Sequence, residues 1–289
     1  MPKAKSAHKE DAAEIAGVTV THPDRLLWPS AGVTKRALAD YCVAVADRLL
    51  PQIANRPLTL LRCPSGSEGE CFVQKHPWPG LSKAVRRLRD GDDEWLVVDD
   101  AAGLVALVQM GVLEFHPWGA KADDLEHPDR VVFDFDPDEG VPWARVVEGA
   151  RAVRAVLDGM GLRSFVKSTG GKGLHVVVPI EPRAGWEQVK AFAHEVAERL
   201  EADAPDRYTT NPLKEARHGR VFLDHLRNSR AATAVAAFSP RARPGAPIAV
   251  PLNWEDLGDD PAAIRRVLND PPAGNPWPDF SKLHQRLPG

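Results

Sequence analysis

Cysteine is scarce: this chain of 289 residues has only Cys42, Cys63 and Cys71, an odd number with no C-x-x-C pair. That argues against both a zinc ribbon and a disulfide framework, and reduced thiols in the cytoplasm are expected. No apolar run approaches the roughly 18 residues a membrane-spanning helix needs, so no membrane partner is expected. The longest runs, 104–112 and 174–180, are core-sized. The N-terminal stretch is charged and has no apolar centre, unlike a signal peptide, and reads as a flexible tail over residues 1–17. Charge of one sign is also lacking: 37 Lys and Arg against 40 Asp and Glu give a net charge of −3. Any surface for a polyanion must therefore be local. Repeats, low-complexity blocks and a clear linker are missing, which leaves residues 18–289 as a single domain.

The composition that remains, 43% hydrophobic and 27% charged, is that of a soluble globular protein and excludes disordered, collagenous and coiled-coil classes. Thr34 is placed to cap a helix in which Leu38, Tyr41, Cys42, Val45 and Leu49 recur at helical spacing until Pro51. Residues 58–62 and 95–98 read as strands, and Asp100 caps an apolar helix. Residues 130–136 alternate as a strand, and Pro142 suits the start of the helix that follows. Strands at 164–167 and 174–178 flank a Gly-rich turn, and a second amphipathic helix runs from Trp186 to Leu200. Strands are expected at 220–224, 232–238 and 248–250, and a short helix at 261–268. The Gly-turn hairpin and the closely spaced late strands do not suit a regular parallel array, so the fold class is α+β with a mainly antiparallel sheet flanked by helices.

Three stretches carry chemistry. In Asp134-Phe135-Asp136, residues i and i+2 of a strand share a face at about 6.6 Å, so two carboxylates converge on one exposed edge while Phe133 and Phe135 anchor the other face. An isolated D-x-D is equally a strand end running into an acidic turn. In Ser168-Thr-Gly-Gly-Lys-Gly-Leu-His175, the glycines Gly170 and Gly171 let backbone N–H groups cradle phosphate, and Lys172 and His175 add donors. It is not a Walker loop, because Gly173 follows Lys172, and a plain hairpin turn stays open as an alternative. The third stretch runs from Leu213 to Arg230. There Asp224 ends another apolar strand among Lys214, Arg217, Arg220, Arg227 and Arg230, with Arg241 and Arg243 beyond; a solvated basic loop is the alternative. Three carboxylates alone would repel a polyanion, so metal dependence is expected. His116-Pro-Trp118 and Phe72-Val-Gln-Lys75-His76 set aromatics beside basic groups, as base stacking or plain packing would.

Taken in this order, D-F-D, S-T-G-G-K-G-L-H and F-L-D-H-L-R-N resemble the archaeo-eukaryotic primase superfamily, and more closely the polymerase domain of bacterial ligase D. The resemblance covers residues 22–254. It implies a primase-like core that adds ribo- or deoxynucleotides to 3′ ends, template-directed, in gap filling and non-homologous end joining. It implies that Asp134, Asp136 and Asp224 bind two divalent ions, manganese preferred or magnesium, and that a primer 3′-hydroxyl attacks the nucleotide α-phosphate. By the same resemblance Ser168, Thr169, Gly170, Gly171, Lys172, His175, Arg227 and Arg241 contact the nucleotide. Arg25, Lys35, Lys75, His116, Lys214, Arg217 and Arg220 fall on the DNA side, with Phe72 against the template. The implied partners are gapped or 3′-overhang DNA ends with a 5′-phosphate, NTP or dNTP, a Ku-type protein and ligase or phosphoesterase components, in a bacterial, nucleoid-associated setting. Arg25 stands where lysine is frequent, Thr169 where serine is, and Val73 where a second aromatic is. No K-x-D-G ligase motif occurs. Two other readings compete. A D-x-D phosphatase expects Thr or Val where Asp138 stands, and a non-catalytic end-binding module leaves the clustered acids unexplained.

Overall fold

The structure, a computed structural model, describes residues 11–288. The expected tail therefore lies outside the described residues up to residue 10. Beyond it the chain is ordered, because β1 (Ala12–Ile15) pairs with β2 (Val18–Thr21) around Ala16 and Gly17, both at positive φ. A second hairpin joins β3 (Leu26–Trp28) to β4 (Val33–Thr34).

The Thr34 hydroxyl caps the next helix by accepting from the Ala37 N–H at 3.1 Å. The single helix expected up to Pro51 is two, α1 (Lys35–Ala44) and α2 (Ala46–Ile53). Val45 leaves helical geometry at the break, and the new direction takes Leu49 and Ile53 into the core. Pro51 sits inside α2 on its exposed side instead of ending a helix.

A five-stranded sheet follows. Its centre is β5 (Leu58–Arg62), bordered by β6 (Phe72–Gln74), with β7 (Arg86–Asp90) and β8 (Asp93–Val97) on the other side. Asp100 caps α3 (Ala101–Gln109), and β9 (Val112–Pro117) returns to pair with β5. The register Arg62↔Phe72 sets Cys63 opposite Cys71, and the two form a disulfide. This corrects the expectation of reduced thiols: hairpin pairing, which spacing alone does not reveal, brings them together. Cys42 remains free and buried.

The six-stranded sheet is built from β10 (Arg130–Pro137), β11 (Phe165–Ser168), β12 (Leu174–Pro179), β13 (Tyr208–Thr209), β14 (Val221–Asp224) and β15 (Pro251–Leu252). The spatial order is β13, β14, β10, β12, β11, β15, antiparallel throughout except for β13 with β14. This is the mainly antiparallel α+β arrangement expected. Helices α4 (Trp143–Gly159) and α5 (Trp186–Asp203) pack on β10 and on each other. They cover the face holding Phe135, whose ring lies against Gly149 of α4, so the acidic residues of β10 point to the other face.

Three late expectations fail. Residues 232–238 and 248–250 form no named strand; isolated bridges such as Trp118↔Thr233 and Pro240↔Ile248 replace a ladder. Pro240, Pro244 and Pro247 remove donors from this region, which breaks continuous pairing. Residues 261–268 make turns and no helix, and Asp260 accepts from the Ala262 N–H at 2.8 Å in a local turn that competes with helix formation. One apolar cluster draws on both sheets, and a smaller one stacks Trp95, Trp118 and Trp186 edge-on.

Candidate active site

Cross-strand register assembles the site. On β10, Asp134 stands opposite Asp224 of β14 on one side and opposite His175 of β12 on the other, and His175 in turn faces Lys167 of β11. Residues directly opposite across a sheet share a face. Four strands thus set Asp224, Asp134, His175 and Lys167 in one row, with Asp136 two residues along from Asp134. Asp136 is exposed as expected, but Asp134 is buried at 8% exposure, with His175 and Arg227 closed onto its carboxylate.

Guanidinium groups balance the acids. Arg227, on the 3-10 turn after β14, donates from Nε to Asp134 Oδ2 at 3.0 Å and lies 3.1 Å from Asp224 Oδ2. Arg217 donates to Asp136 Oδ2 at 3.2 Å while lying over the Phe222 ring. His175 Nε2 lies 3.3 Å from Asp134 Oδ1. Burial would push the Asp134 carboxyl up, but His175 and Arg227 outweigh it and hold it well below the usual range. Burial and the neighbouring Asp134 charge raise Asp136, and burial raises Asp224 against the pull of Arg227. Among the described residues, no three His, Cys, Asp or Glu side chains are gathered closely enough to hold a metal ion. By chemistry alone the three carboxylates offer hard oxygen donors of the kind a divalent ion takes, and each already lies beside a guanidinium.

The Gly-rich turn closes over this row. Gly170 adopts a positive φ, and Thr169 donates from both its backbone N–H and its hydroxyl to Gly173 O at 3.1 Å. At Gly173 a Cβ would lie 2.2 Å from Phe135 O, so only glycine lets this turn sit on β10. A cleft of about 310 Å³ brings together His116, Asp134, Asp136, Thr169, Lys172, His175, Arg227, Arg241 and Arg243. Lys172 also borders a neighbouring groove with Ser168, Gly170 and Gly171. Ser168 itself is buried, and its hydroxyl accepts from the Val250 N–H.

The residues expected on the DNA side do not join that cleft, apart from His116 and from Arg217 at Asp136. Arg25, Lys75 and Lys214 are exposed, and Arg220 is half-buried and donates to Pro205 O. Phe72 is exposed, with the Arg62 guanidinium 5.3 Å from its ring centre. Lys35 is buried, and its ammonium donates to Thr21 O at 3.0 Å and to Gln109 Oε1 at 3.2 Å, so it is not a free phosphate ligand in this structure.

Two residues escaped the sequence analysis. Glu114, two positions before His116 on β9, accepts hydrogen bonds from both His116 and Arg241. Lys167 is buried and has no hydrogen-bond partner among the described residues. A charged residue in each apolar strand was the available signal, and nothing local distinguished it from an outward-facing one.

The LigD primase-polymerase domain family model matches residues 34–270. The chain is 40% identical over 301 residues to the multifunctional non-homologous end joining protein LigD of Pseudomonas aeruginosa, a match covering 99% of the chain and 36% of that protein. The bifunctional non-homologous end joining protein LigD of Bacillus subtilis is 30% identical over 239 residues, covering 82% and 39%. The chain spans about a third of the length of the curated relatives it matches. Among solved structures, the polymerase domain from Mycobacterium tuberculosis ligase D in complex with DNA matches with a TM-score of 0.81 and 34% identity, over 87% of this chain and 92% of that one.

Proposed function

The chain belongs to the LigD primase-polymerase domain family, and from that premise we propose that residues 18–289 act as one DNA-end-directed, template-dependent nucleotidyltransferase. It adds ribo- or deoxynucleotides to 3′ ends in gap filling and end processing during non-homologous end joining. The observation that carries this reading is the cross-strand row Asp224, Asp134, His175, of which Asp134 and His175 line one cleft with Asp136, the Gly-rich turn and Arg241.

Asp134, Asp136 and Asp224 would hold two divalent ions, manganese or magnesium, which supply charge neutralisation at the attacking and leaving oxygens of phosphoryl transfer. The chain's own groups do the positioning. Arg227 and Arg217 exchange their carboxylate partners for phosphate oxygens, a substitution that keeps each guanidinium in a charge-assisted bond. Lys172 and Arg241 take the triphosphate together with Ser168, Thr169 and the N–H groups around Gly170 and Gly171. His175 keeps Asp134 oriented. Arg25, Lys75, Lys214 and Arg220 take the DNA backbone, and Phe72 offers a stacking face to the template. Lys35 reaches a 5′-phosphate only by giving up Thr21 and Gln109. A Ku-type partner, ligase or phosphoesterase components and a nucleoid setting in a bacterial cytoplasm belong to the same reading.

Primer extension on gapped DNA with a 5′-phosphate tests it, with manganese, magnesium or chelator and with Asp136→Ala as control. Metal-dependent incorporation that falls about 100-fold or more in the variant, with DNA binding kept, is the expected outcome. Absence of incorporation by the unaltered protein, with DNA binding retained, leaves the end-binding module as the better reading.

A further inference from the structure

Glu114 lies at 4% exposure on β9, outside the cleft it borders. As the residue two before His116 it shares that side chain's face of the strand, and its Oε2 accepts from His116 Nε2 at 2.8 Å. The same oxygen accepts from Arg241 Nε at 2.9 Å, and Oε1 accepts from the Ala242 N–H at 2.8 Å. Both carboxylate oxygens are thus engaged, by His116 of the same strand and by the distant Arg241-Ala242 segment. Arg241 then donates from Nη1 to the Thr169 carbonyl of the Gly-rich turn. Its stem lies against Gly170, where a Cβ would come within 2.7 Å of Arg241 Cγ. The chain of contacts runs from the five-stranded sheet, through one carboxylate, to the turn on the six-stranded sheet.

We propose that Glu114 is a positioning residue that aims His116 and Arg241 into the nucleotide cleft; the assignment rests on the polymerase reading above. Both partners line the cleft, and Glu114 touches them from behind. A neutral amide replaces it only in part: with its oxygen toward His116 and Arg241 the glutamine N–H₂ would face the Ala242 N–H donor, in the flipped orientation it would face the His116 and Arg241 donors, and in both the charge opposite Arg241 is lost. Burial favours the neutral acid, but the His116 bond and the Arg241 charge win and hold the carboxyl down at about 2, so it is ionised throughout the neutral range. Without that charge the Arg241 guanidinium loses its counter-ion beside the buried Lys167 ammonium and keeps only the Thr169 carbonyl, which leaves its aim into the cleft less constrained.

The test compares Glu114→Gln and Glu114→Asp with the unaltered protein in two assays, calorimetric binding of ATP with manganese and steady-state primer extension, with melting temperatures recorded. A hydrogen bond to a charged group is worth about tenfold or more in affinity. Glu114→Gln is therefore expected to weaken ATP binding and raise KM about tenfold with little change in kcat, and Glu114→Asp, which keeps the charge, to recover part of the loss. In an Arg241→Ala background, Glu114→Gln should add little, because its effect passes through Arg241. Wild-type affinity in Glu114→Gln, or full additivity with Arg241→Ala, overturns the proposal. If the glutamine variant does not fold, the aspartate variant decides: a raised KM at an unchanged melting temperature supports the assignment, and an unchanged KM removes it. Should the unaltered protein bind ATP yet incorporate nothing, the polymerase reading fails, while the positioning role is still decided by the binding affinities.

Discussion

Lys167 ends the cross-strand row with an ammonium that is 3% exposed and without a hydrogen-bond partner among the described residues. Burial pushes its pKa down to about 7 from an ordinary 10.5; the Arg241 charge adds to this and Asp134 opposes it. Because the folded pKa is the lower one, the unfolded chain binds more protons between about pH 7 and 10.5. Stability attributable to this residue therefore rises with pH across that window, and the penalty is full below it. Lys167→Met removes the titration. Thermal denaturation from pH 6.5 to 9.5 should show the variant more stable at the acid end and the advantage shrinking toward the alkaline end; parallel curves would falsify the assignment.

At the scale of elements, the site depends on how closely the Gly-rich turn seats on β10. Gly173 is the contact point, and an added methyl would meet a backbone carbonyl, which cannot rotate away as a side chain does. Gly173→Ala must separate β12 from β10 at the row that positions Asp134 and His175. Denaturant titration is expected to show a loss of about 1–3 kcal/mol or more, and primer extension a loss beyond what the unfolded fraction explains. Full activity with unchanged stability would mean that the turn relaxes freely. The β5–β6 hairpin makes a similar point about pairing, since Cys63 and Cys71 are separated by eight positions along the chain and joined across a ladder.

For the whole molecule, the C-terminal stretch matters more than its irregular backbone suggests. Trp277 and Phe280 are buried against Phe165 of β11, and Trp277 donates from Nε1 to Val166 O and Leu252 O. Gln285 adds bonds to Pro179 O and Arg163 O. The family match ends at residue 270, yet these contacts lie beyond it and cover the far end of the catalytic sheet. Trp277→Ala should destabilise by about 3–5 kcal/mol, and a chain ending at residue 270 should lose at least as much. Denaturant midpoints check both, and an unchanged midpoint in either would show that the stretch is only draped over the surface.

What the sequence determined by itself were features set by neighbours along the chain. The strand carrying Asp134 and Asp136, the Gly-rich turn, the Thr34 and Asp100 caps and helices α4 and α5 follow from periodicity and local chemistry, and the ordered motifs marked Asp224 as a third acid. Tertiary structure decided whatever depends on partners far away in the chain. It set Asp224 opposite Asp134, buried Lys35 and Lys167, paired Cys63 with Cys71, and joined Glu114 to Arg241 across 127 positions. It also left residues 232–238 and 248–250 without the expected strands, because the Pro-rich segments between and beside them pair by isolated bridges instead of by ladder. Periodicity reports which face of an element is apolar; which charge meets that face is fixed only when the sheets close on each other.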